Sequence, residues 1–257
     1  MRKDEAGRGI AWGGIAGIAV VAAAWVADSF RRSRRERVTH RILVDVLLNA
    51  LTADDAITAR HSRRVADLSF ALAQRYGMGR RELATLRVGA LLHDMGKIDD
   101  RFFHIVHSRD PLSEEERTEM EFHPHLSARI LEPLEPIHPG IADVVASHHE
   151  CWDGSGYPCG RANVDIPVEA RIIALADVFD AMTQPRSYKD AMPVEEAMEK
   201  LDEGCARQFD PHLVNLVQSD RVLDRWIEIA HQGLDDELRH LAHPNPTEAV
   251  HAEVEAE

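Results

Sequence analysis

An adjacent histidine and aspartate, His93 and Asp94, close an apolar run of the sequence and are followed three residues later by Lys97. Neighbouring side chains on a helix point about 100° apart. One metal ion therefore does not readily bind both, whereas two ions that share the Asp94 carboxylate can. Such a pair also occurs without any ligand, with the histidine in a core hydrogen bond and the aspartate as a helix cap. Further residues of ligand type along the chain favour metal binding, namely His61, His123, His148, His149 and Asp177.

Imidazole and carboxylate ligands together suit iron, manganese, nickel or zinc, and the cysteines lack the spacing of a thiolate site. Five histidines and two aspartates are enough for two ions bridged by one carboxylate. Paired ions about 3.5–4 Å apart are the usual device for hydrolysing phosphate esters. A bridging water that has lost its proton would attack phosphorus in line with the leaving oxygen. Lys97 would neutralise a phosphoryl oxygen, and Arg186 and Lys189 could hold the second phosphate or a guanine edge.

The apolar spacing of several segments predicts the helices that must position these residues. Segments 54–76, 81–92, 139–149 and 168–182 show a helical period, and a helix start with three acidic residues precedes His123. His61 shares an apolar helix face, which alone is more typical of a core histidine. Asp177 lies in an apolar segment, where an unpaired carboxylate is costly. Either a metal ion or an inward arginine such as Arg171 would offset that cost.

No segment sustains the alternation of a strand, so we predict an all-α fold. The net charge of −14 argues against a protein that binds a DNA or RNA duplex. It does not exclude an anionic small substrate, because bound cations dominate the local field. Three cysteines without paired spacing indicate reduced thiols in the cytosol. The acidic segment 232–257 is predicted to be a disordered tail.

The N-terminal segment 9–27 carries no charge and approaches the length that spans a bilayer. Five arginines follow within residues 31–37, and a basic flank of this kind stays on the cytoplasmic side. A cleaved signal peptide is the alternative, but arginines just past the cleavage point would hinder export. We predict a transmembrane anchor over 1–30, single-pass in the cytoplasmic membrane, with the catalytic domain in the cytoplasm. A basic juxtamembrane stalk over 31–52 follows; it either pairs with a second chain as a homodimer or is the first core helix.

Several spaced motifs occur together over residues 54–217. They are LLHDMGK at 91–97, His123-Pro124, HHECWDGSGYP at 148–158 and ADVFDA at 176–181. In these motifs the chain resembles the HD-GYP domain, a subfamily of the HD phosphohydrolases linked to cyclic di-GMP breakdown. Ser127 departs from a glycine that is usual in that family, and Asp99-Asp100 departs from a common Ile-Pro.

The resemblance implies an HD-type helical bundle over 53–231 that hydrolyses cyclic di-GMP to linear pGpG by attack of a metal-bridging hydroxide. Further cleavage to GMP stays open. Two divalent ions are implied, with Fe or Mn favoured over Ni, Mg or Zn and with Asp94 bridging. His123 is preferred to the neighbouring His125 because the family histidine directly precedes proline. Ile57 stands where some members carry a glutamate that binds a third ion. The implied ligands are His61, His93, Asp94, His123, His148, His149 and Asp177, and the implied substrate contacts are Lys97, Arg186 and Lys189.

Two alternatives remain from the sequence. The chain could be a non-catalytic cyclic di-GMP receptor, or a module that docks a diguanylate cyclase (GGDEF) partner through the loop that contains Gly156-Tyr157-Pro158, the Gly-Tyr-Pro loop. Trp152 and Tyr157, expected to be exposed in that loop, motivate this alternative. The chain could also hydrolyse another cyclic nucleotide.

Overall fold

The computed structural model describes residues 56–106, 112–185 and 190–242. Regular structure in these ranges is helical, apart from an isolated bridge between Cys205 and Phe209. The all-α prediction is therefore confirmed. The anchor and stalk predicted over 1–30 and 31–52 lie outside the described residues. None of the helices within those residues is long and apolar enough to cross a membrane.

Ten α-helices are described, connected by turns and short 3₁₀ segments such as Met95–Ile98. They are α1 (Ala56–Tyr76), α2 (Arg80–Leu92), α3 (Phe103–Val106), α4 (Glu114–Met120), α5 (His123–Leu131), α6 (Ile141–Ala146), α7 (Val168–Thr183), α8 (Val194–Glu203), α9 (Pro211–Val217) and α10 (Asp220–Ala242).

Helix α1 is central and packs against α2, α7 and α10. Its apolar residues recur every three or four positions and form a buried stripe, which includes Leu68 and Leu72. Trp226 of α10 is fully buried, lies with its ring centroid 4.7 Å from that of Phe179 in α7, and donates a hydrogen bond of 3.1 Å to the Leu68 carbonyl oxygen. The core thus fixes α1 against α7, the two helices that carry His61 and Asp177.

The turn after α2 lies directly against α5. At Gly96 a Cβ atom would come within 2.3 Å of the His123 carbonyl oxygen and 2.7 Å of the Ser127 amide nitrogen, so a residue without a side chain is required. The Gly96 amide donates a hydrogen bond of 2.7 Å to the Ser127 hydroxyl. Ser127, which departs from the family's usual glycine, therefore adds a contact at the point where Asp94 is positioned.

The predicted start of the disordered tail at residue 232 is wrong, because α10 continues to Ala242. The charged composition of this segment suggested disorder, but it continues a helix whose preceding turns pack against the core. Trp226 and Ala230 are buried, and Gly233 lies so close to α1 that a Cβ there would come within 2.6 Å of Arg64 Cδ. Residues 243–257 lie outside the described part of the chain.

Candidate metal centre

All seven predicted metal ligands come together in the helical bundle as two adjoining groups. Within each group, one potential ligand atom per residue lies within 4.8 Å of the others. The first group is Asp94, His123, His148 and His149, and the second is His61, His93 and Asp177.

The ligands come from the middle or the ends of helices that meet at this point. His61 lies within α1 and Asp177 within α7, which pack against each other. His93 and Asp94 follow the last residue of α2, His123 is the first residue of α5, and His148 and His149 are the second and third residues after α6. A helix end exposes successive side chains in different directions, so adjacent residues can serve different groups.

Asp94 links the two groups through its two carboxylate oxygens. Its Oδ1 lies 3.1 Å from His123 Nε2, and its Oδ2 lies 3.4 Å from His93 Nε2. One oxygen therefore faces each group, which is the arrangement that a carboxylate bridging two ions needs. His93 and Asp94 belong to different groups, as expected for adjacent helical side chains that point about 100° apart.

Three of the histidines are oriented by their own local backbone. In each, Nδ1 lies within hydrogen-bond distance of the carbonyl oxygen three residues earlier. This contact fixes Nδ1 as the donor and leaves Nε2 to face the centre, as is usual for histidines that bind metals. The distances are 2.8 Å from His93 to Ala90, 2.7 Å from His123 to Met120 and 2.6 Å from His148 to Val145.

Several polar atoms of the centre lack the partners that buried groups require. Among the described residues, His93 Nε2 and Asp94 Oδ1 are buried without a hydrogen-bond partner, which typically costs about 1–3 kcal/mol per group. The Nε2 atoms of His123 and His148 lie 3.4 Å apart. When both Nδ1 atoms donate, both Nε2 atoms are acceptors and cannot bond to each other. Divalent cations would satisfy these lone pairs, so the residues fit the two implied metal ions.

The electrostatics of the first group favour metal binding at neutral pH. Burial lowers the pKa of His149 to about 3, and burial together with the neighbouring histidines lowers the pKa of His148 far below its ordinary value. Both imidazoles are thus neutral and carry a free lone pair. Burial would raise the pKa of Asp94, but Lys97 and the adjacent histidines outweigh it and hold the pKa well below its usual range.

His61 differs from the other histidines, because both of its ring nitrogens face carboxylates. Its Nε2 lies 3.1 Å from Asp177 Oδ1, and its Nδ1 lies 2.7 Å from Asp180 Oδ2. Burial opposes protonation, yet the two carboxylates outweigh it and raise the pKa of His61 to about 9. Without a bound cation this imidazole carries a proton, which metal binding at Nε2 must displace.

Sequence reasoning missed Asp180 and Arg64. Asp180 is almost fully buried at 1% exposure, and the Arg64 guanidinium contacts it at 2.7 Å through Nε and 3.0 Å through Nη2. The signal was present, since Asp180 lies one helical turn after Asp177 and Arg64 lies one turn after His61. Each therefore shares a helix face with a ligand.

The remaining predicted residues have different outcomes. Lys97 Nζ lies 2.7 Å from Asp94 Oδ2, at the edge of the centre. His125, the rejected competitor of His123, is exposed. Arg171 does not neutralise Asp177 but pairs with Asp210 at 2.6 Å. Arg186, Lys189 and the side chain of Ile57 lie outside the described part, so their assigned roles stay predictions.

A cavity of about 220 Å³ adjoins the centre and is lined by His149, Asp177 and the Gly-Tyr-Pro loop. Tyr157 stacks on His149 with ring centroids 4.9 Å apart. Gly156 permits this approach, because a Cβ there would lie 2.2 Å from the Cys151 amide nitrogen. The expectation of exposed aromatic side chains in this loop is wrong. Trp152 and Tyr157 are both half-buried, since the loop folds onto the site as its wall.

Comparisons with known proteins agree with this geometry. The family model of the HD domain matches residues 45–213. A 3'3'-cGAMP-specific phosphodiesterase 2 from Vibrio cholerae is 38% identical over 195 residues, which are 75% of this chain and 36% of that protein. A cyclic di-GMP phosphodiesterase from Thermotoga maritima is 38% identical over 172 residues, which are 65% of this chain and 46% of that protein. The chain thus spans between about a third and a half of the length of these relatives.

A solved structure of an HDG"Y"P protein from Bdellovibrio bacteriovorus matches with a TM-score of 0.50 and 24% identity. The match covers 63% of this chain and 53% of that one. At this identity the likeness shows a shared fold. Together with the family model and the sequence relatives, it confirms the resemblance to HD-GYP proteins.

Proposed function

This chain belongs to the HD domain family, and we propose that it is a metal-dependent phosphodiesterase that hydrolyses cyclic di-GMP to linear pGpG. Further cleavage to GMP would require the linear product to bind again in the same cleft. The observation that carries the proposal is the position of Asp94, which turns one carboxylate oxygen towards each of two groups of ligands. Several relatives named as phosphodiesterases of cyclic dinucleotides support it.

The residues of the centre would hold two divalent cations, Fe or Mn in preference to Ni, Mg or Zn. When bound, such cations lower the pKa of a coordinated water and polarise the scissile phosphate. His148 and His149 stay neutral at pH 7 because of burial and keep their lone pairs for the cations. Lys97 places an ammonium group beside Asp94, where it would neutralise the charge that develops on a phosphoryl oxygen.

The cavity beside the centre would receive the part of the substrate that is attached to the scissile phosphate. Tyr157, stacked on His149, would exclude water from one side and offer an aromatic edge. Arg186 and Lys189 follow α7 in sequence and are proposed to hold the second phosphate or a guanine edge.

A second candidate substrate is 3'3'-cGAMP, because the relative from Vibrio cholerae that is 38% identical carries that name. The two substrates share the cyclic phosphodiester ring and differ in one base. A receptor without catalysis is less well supported, since every position of the implied ligand set is filled. Docking of a GGDEF partner through the Gly-Tyr-Pro loop and homodimerisation stay predictions.

Membrane attachment is also a proposal, supported by the sequence alone. The uncharged segment 9–27 and the arginines that follow suit an anchor over 1–30 and a stalk over 31–52. This arrangement would hold the catalytic domain at the cytoplasmic face of the cytoplasmic membrane. Fractionation of cells that produce the full chain, before and after carbonate or high-salt washing, tests it.

The function is tested with the full chain, purified anaerobically and loaded with Mn²⁺ or Fe²⁺ under reducing conditions. We expect conversion of cyclic di-GMP to pGpG, with 3'3'-cGAMP compared in parallel. His123→Ala should abolish turnover, whereas the matched control His125→Ala should retain it, because His125 is exposed two residues away. Absence of turnover of any cyclic dinucleotide at full metal occupancy would refute the proposal.

A further inference from the structure

His61 is held in a different way from the three histidines that contact backbone carbonyls. Its Nδ1 contacts the Asp180 carboxylate at 2.7 Å, whereas His93, His123 and His148 contact neutral carbonyl oxygens. A carboxylate partner raises the basicity of an imidazole ligand more than a carbonyl does, because it carries a full negative charge. The two groups of ligands are therefore chemically unequal.

Two aspartates of helix α7 contact the two ring nitrogens of His61. Asp177 faces Nε2 at 3.1 Å and Asp180 faces Nδ1 at 2.7 Å, and the two aspartates lie one turn apart on the same helix. The candidate ligand Asp177 and the supporting carboxylate of Asp180 thus belong to one rigid helix. The plane and direction of the imidazole are fixed by α7 rather than by its own helix.

Asp180 is in turn fixed from outside the centre. Arg64 contacts both of its oxygens, at 2.7 and 3.0 Å, and such a two-pronged contact has a defined geometry. Helix α10 packs directly against Arg64, because a Cβ atom at Gly233 would come within 2.6 Å of Arg64 Cδ. Residue 233 lies beyond the segment 45–213 that matches the HD domain family. A helix outside the family match therefore supports the Arg64–Asp180 pair.

We infer that Asp180, held by Arg64, is a positioning residue that sets the metal affinity of the subsite formed by His61, His93 and Asp177. The other subsite depends on it only through the shared Asp94 carboxylate, because His123 and His148 are oriented by their own carbonyl contacts. The inference rests on the proposed function only in requiring that the centre binds two divalent cations. Loss of such a supporting group typically lowers metal affinity by about 10- to 100-fold.

The test is a calorimetric titration of the metal-free full chain with Mn²⁺ alone, without nucleotide. The wild type should show two binding events. Asp180→Asn should weaken one of them by about 10- to 100-fold and the other by a smaller factor, because the two subsites are coupled only through Asp94. In a His61→Ala background the same substitution should have no further effect, because the group through which it acts is gone.

Asp210→Asn is the matched control. Asp210 is also buried, at 5% exposure, and pairs with an arginine of another helix, Arg171, at 2.6 Å, but it does not contact a ligand of the centre. Its substitution should lower the melting temperature and leave both Mn²⁺ affinities unchanged. This separates positioning of a ligand from general stabilisation of the fold.

The inference is overturned if Asp180→Asn weakens both events equally or neither, if Asp210→Asn has the same effect, or if the loss persists in His61→Ala. Should Asp180→Asn fail to fold, Arg64→Lys serves instead. This substitution keeps the positive charge at position 64 and removes the two-pronged guanidinium contact with Asp180. It should weaken the same single event, and unchanged binding would overturn the inference. Because the readout is metal binding, failure here leaves the proposed hydrolysis untouched, and absence of hydrolysis leaves this test valid.

Discussion

Replacing Gly96 by alanine should disturb the centre without touching any ligand side chain. The new Cβ would lie 2.3 Å from the His123 carbonyl oxygen and 2.7 Å from the Ser127 amide nitrogen. Both are backbone atoms of α5 and cannot rotate away as the end of a side chain can. Relief requires α5 to move by about 1 Å to reach ordinary contact distances. That movement carries His123 away from Asp94, whose Oδ1 now lies 3.1 Å from its Nε2.

Overpacking of this kind costs about 1–3 kcal/mol, which for a domain of this size lowers the melting temperature by roughly 2–12 °C. Metal–ligand distances lie within about 0.2 Å of their standard values, so a shift of His123 by about 1 Å should lower metal affinity as well. A misplacement of about 1 Å lowers catalytic rates by about 100-fold. We therefore expect Gly96→Ala to lose activity out of proportion to its loss of stability.

The assays are thermal unfolding, metal content after dialysis and hydrolysis of cyclic di-GMP, each compared with Gly89→Ala. At Gly89, within α2, a Cβ would meet the nearest atom, the Val144 Cγ1 methyl, at 3.4 Å, an ordinary contact. Glycine to alanine inside a helix gains up to about 1 kcal/mol, so the control should be as stable as the wild type or more stable. If the two variants behave alike in all three assays, the reasoning from close approach at Gly96 is refuted.

Three further predictions concern charge. Lys97→Met should retain its metal content and lose about 100- to 1000-fold in hydrolysis, and an unchanged rate would contradict the role of Lys97 in charge neutralisation. Because the pKa of His61 is raised to about 9, metal binding at pH 7.5 should release about one proton from it, measured by calorimetry in two buffers of different ionisation enthalpy; equal heats would contradict this. In chelated protein, the low pKa of His149, about 3, means that only the unfolded state takes up its proton between pH 6.5 and 3. Unfolding free energy should therefore decrease as pH falls through that window, with His149 contributing up to about 1.4 kcal/mol per pH unit, and urea unfolding that is equal at pH 7 and pH 5 would contradict it.

Much of the site followed from residue type and helical periodicity. His61 faces inward because it shares an apolar face with Val65, and both are buried. The bridging role of Asp94 and the choice of His123 over His125 were implied by the resemblance to the HD-GYP domain. Neither step requires knowledge of contacts distant in sequence.

Features that depend on such contacts could not be derived from the sequence. Helical spacing places Asp180 and Arg64 on the same helix faces as two ligands, but the two residues are separated by 116 positions, and only the packing of α1 on α7 shows that they contact each other. Helix α10 continues past Gln232 from turns that pack against α1, and local composition does not reveal this packing. The burial of Tyr157 likewise depends on Gly156 approaching the backbone of the His149 segment, where the local sequence indicates only a turn.

The central claim is that two divalent cations bind together between the two groups of ligands. Anomalous X-ray diffraction from crystals of the full chain grown with Mn²⁺ tests it most directly. We predict two peaks about 3.5–4 Å apart, one within coordination distance of His61 and the other of His123, with Asp94 between them. A single peak, or peaks that lie away from these side chains, would contradict the account.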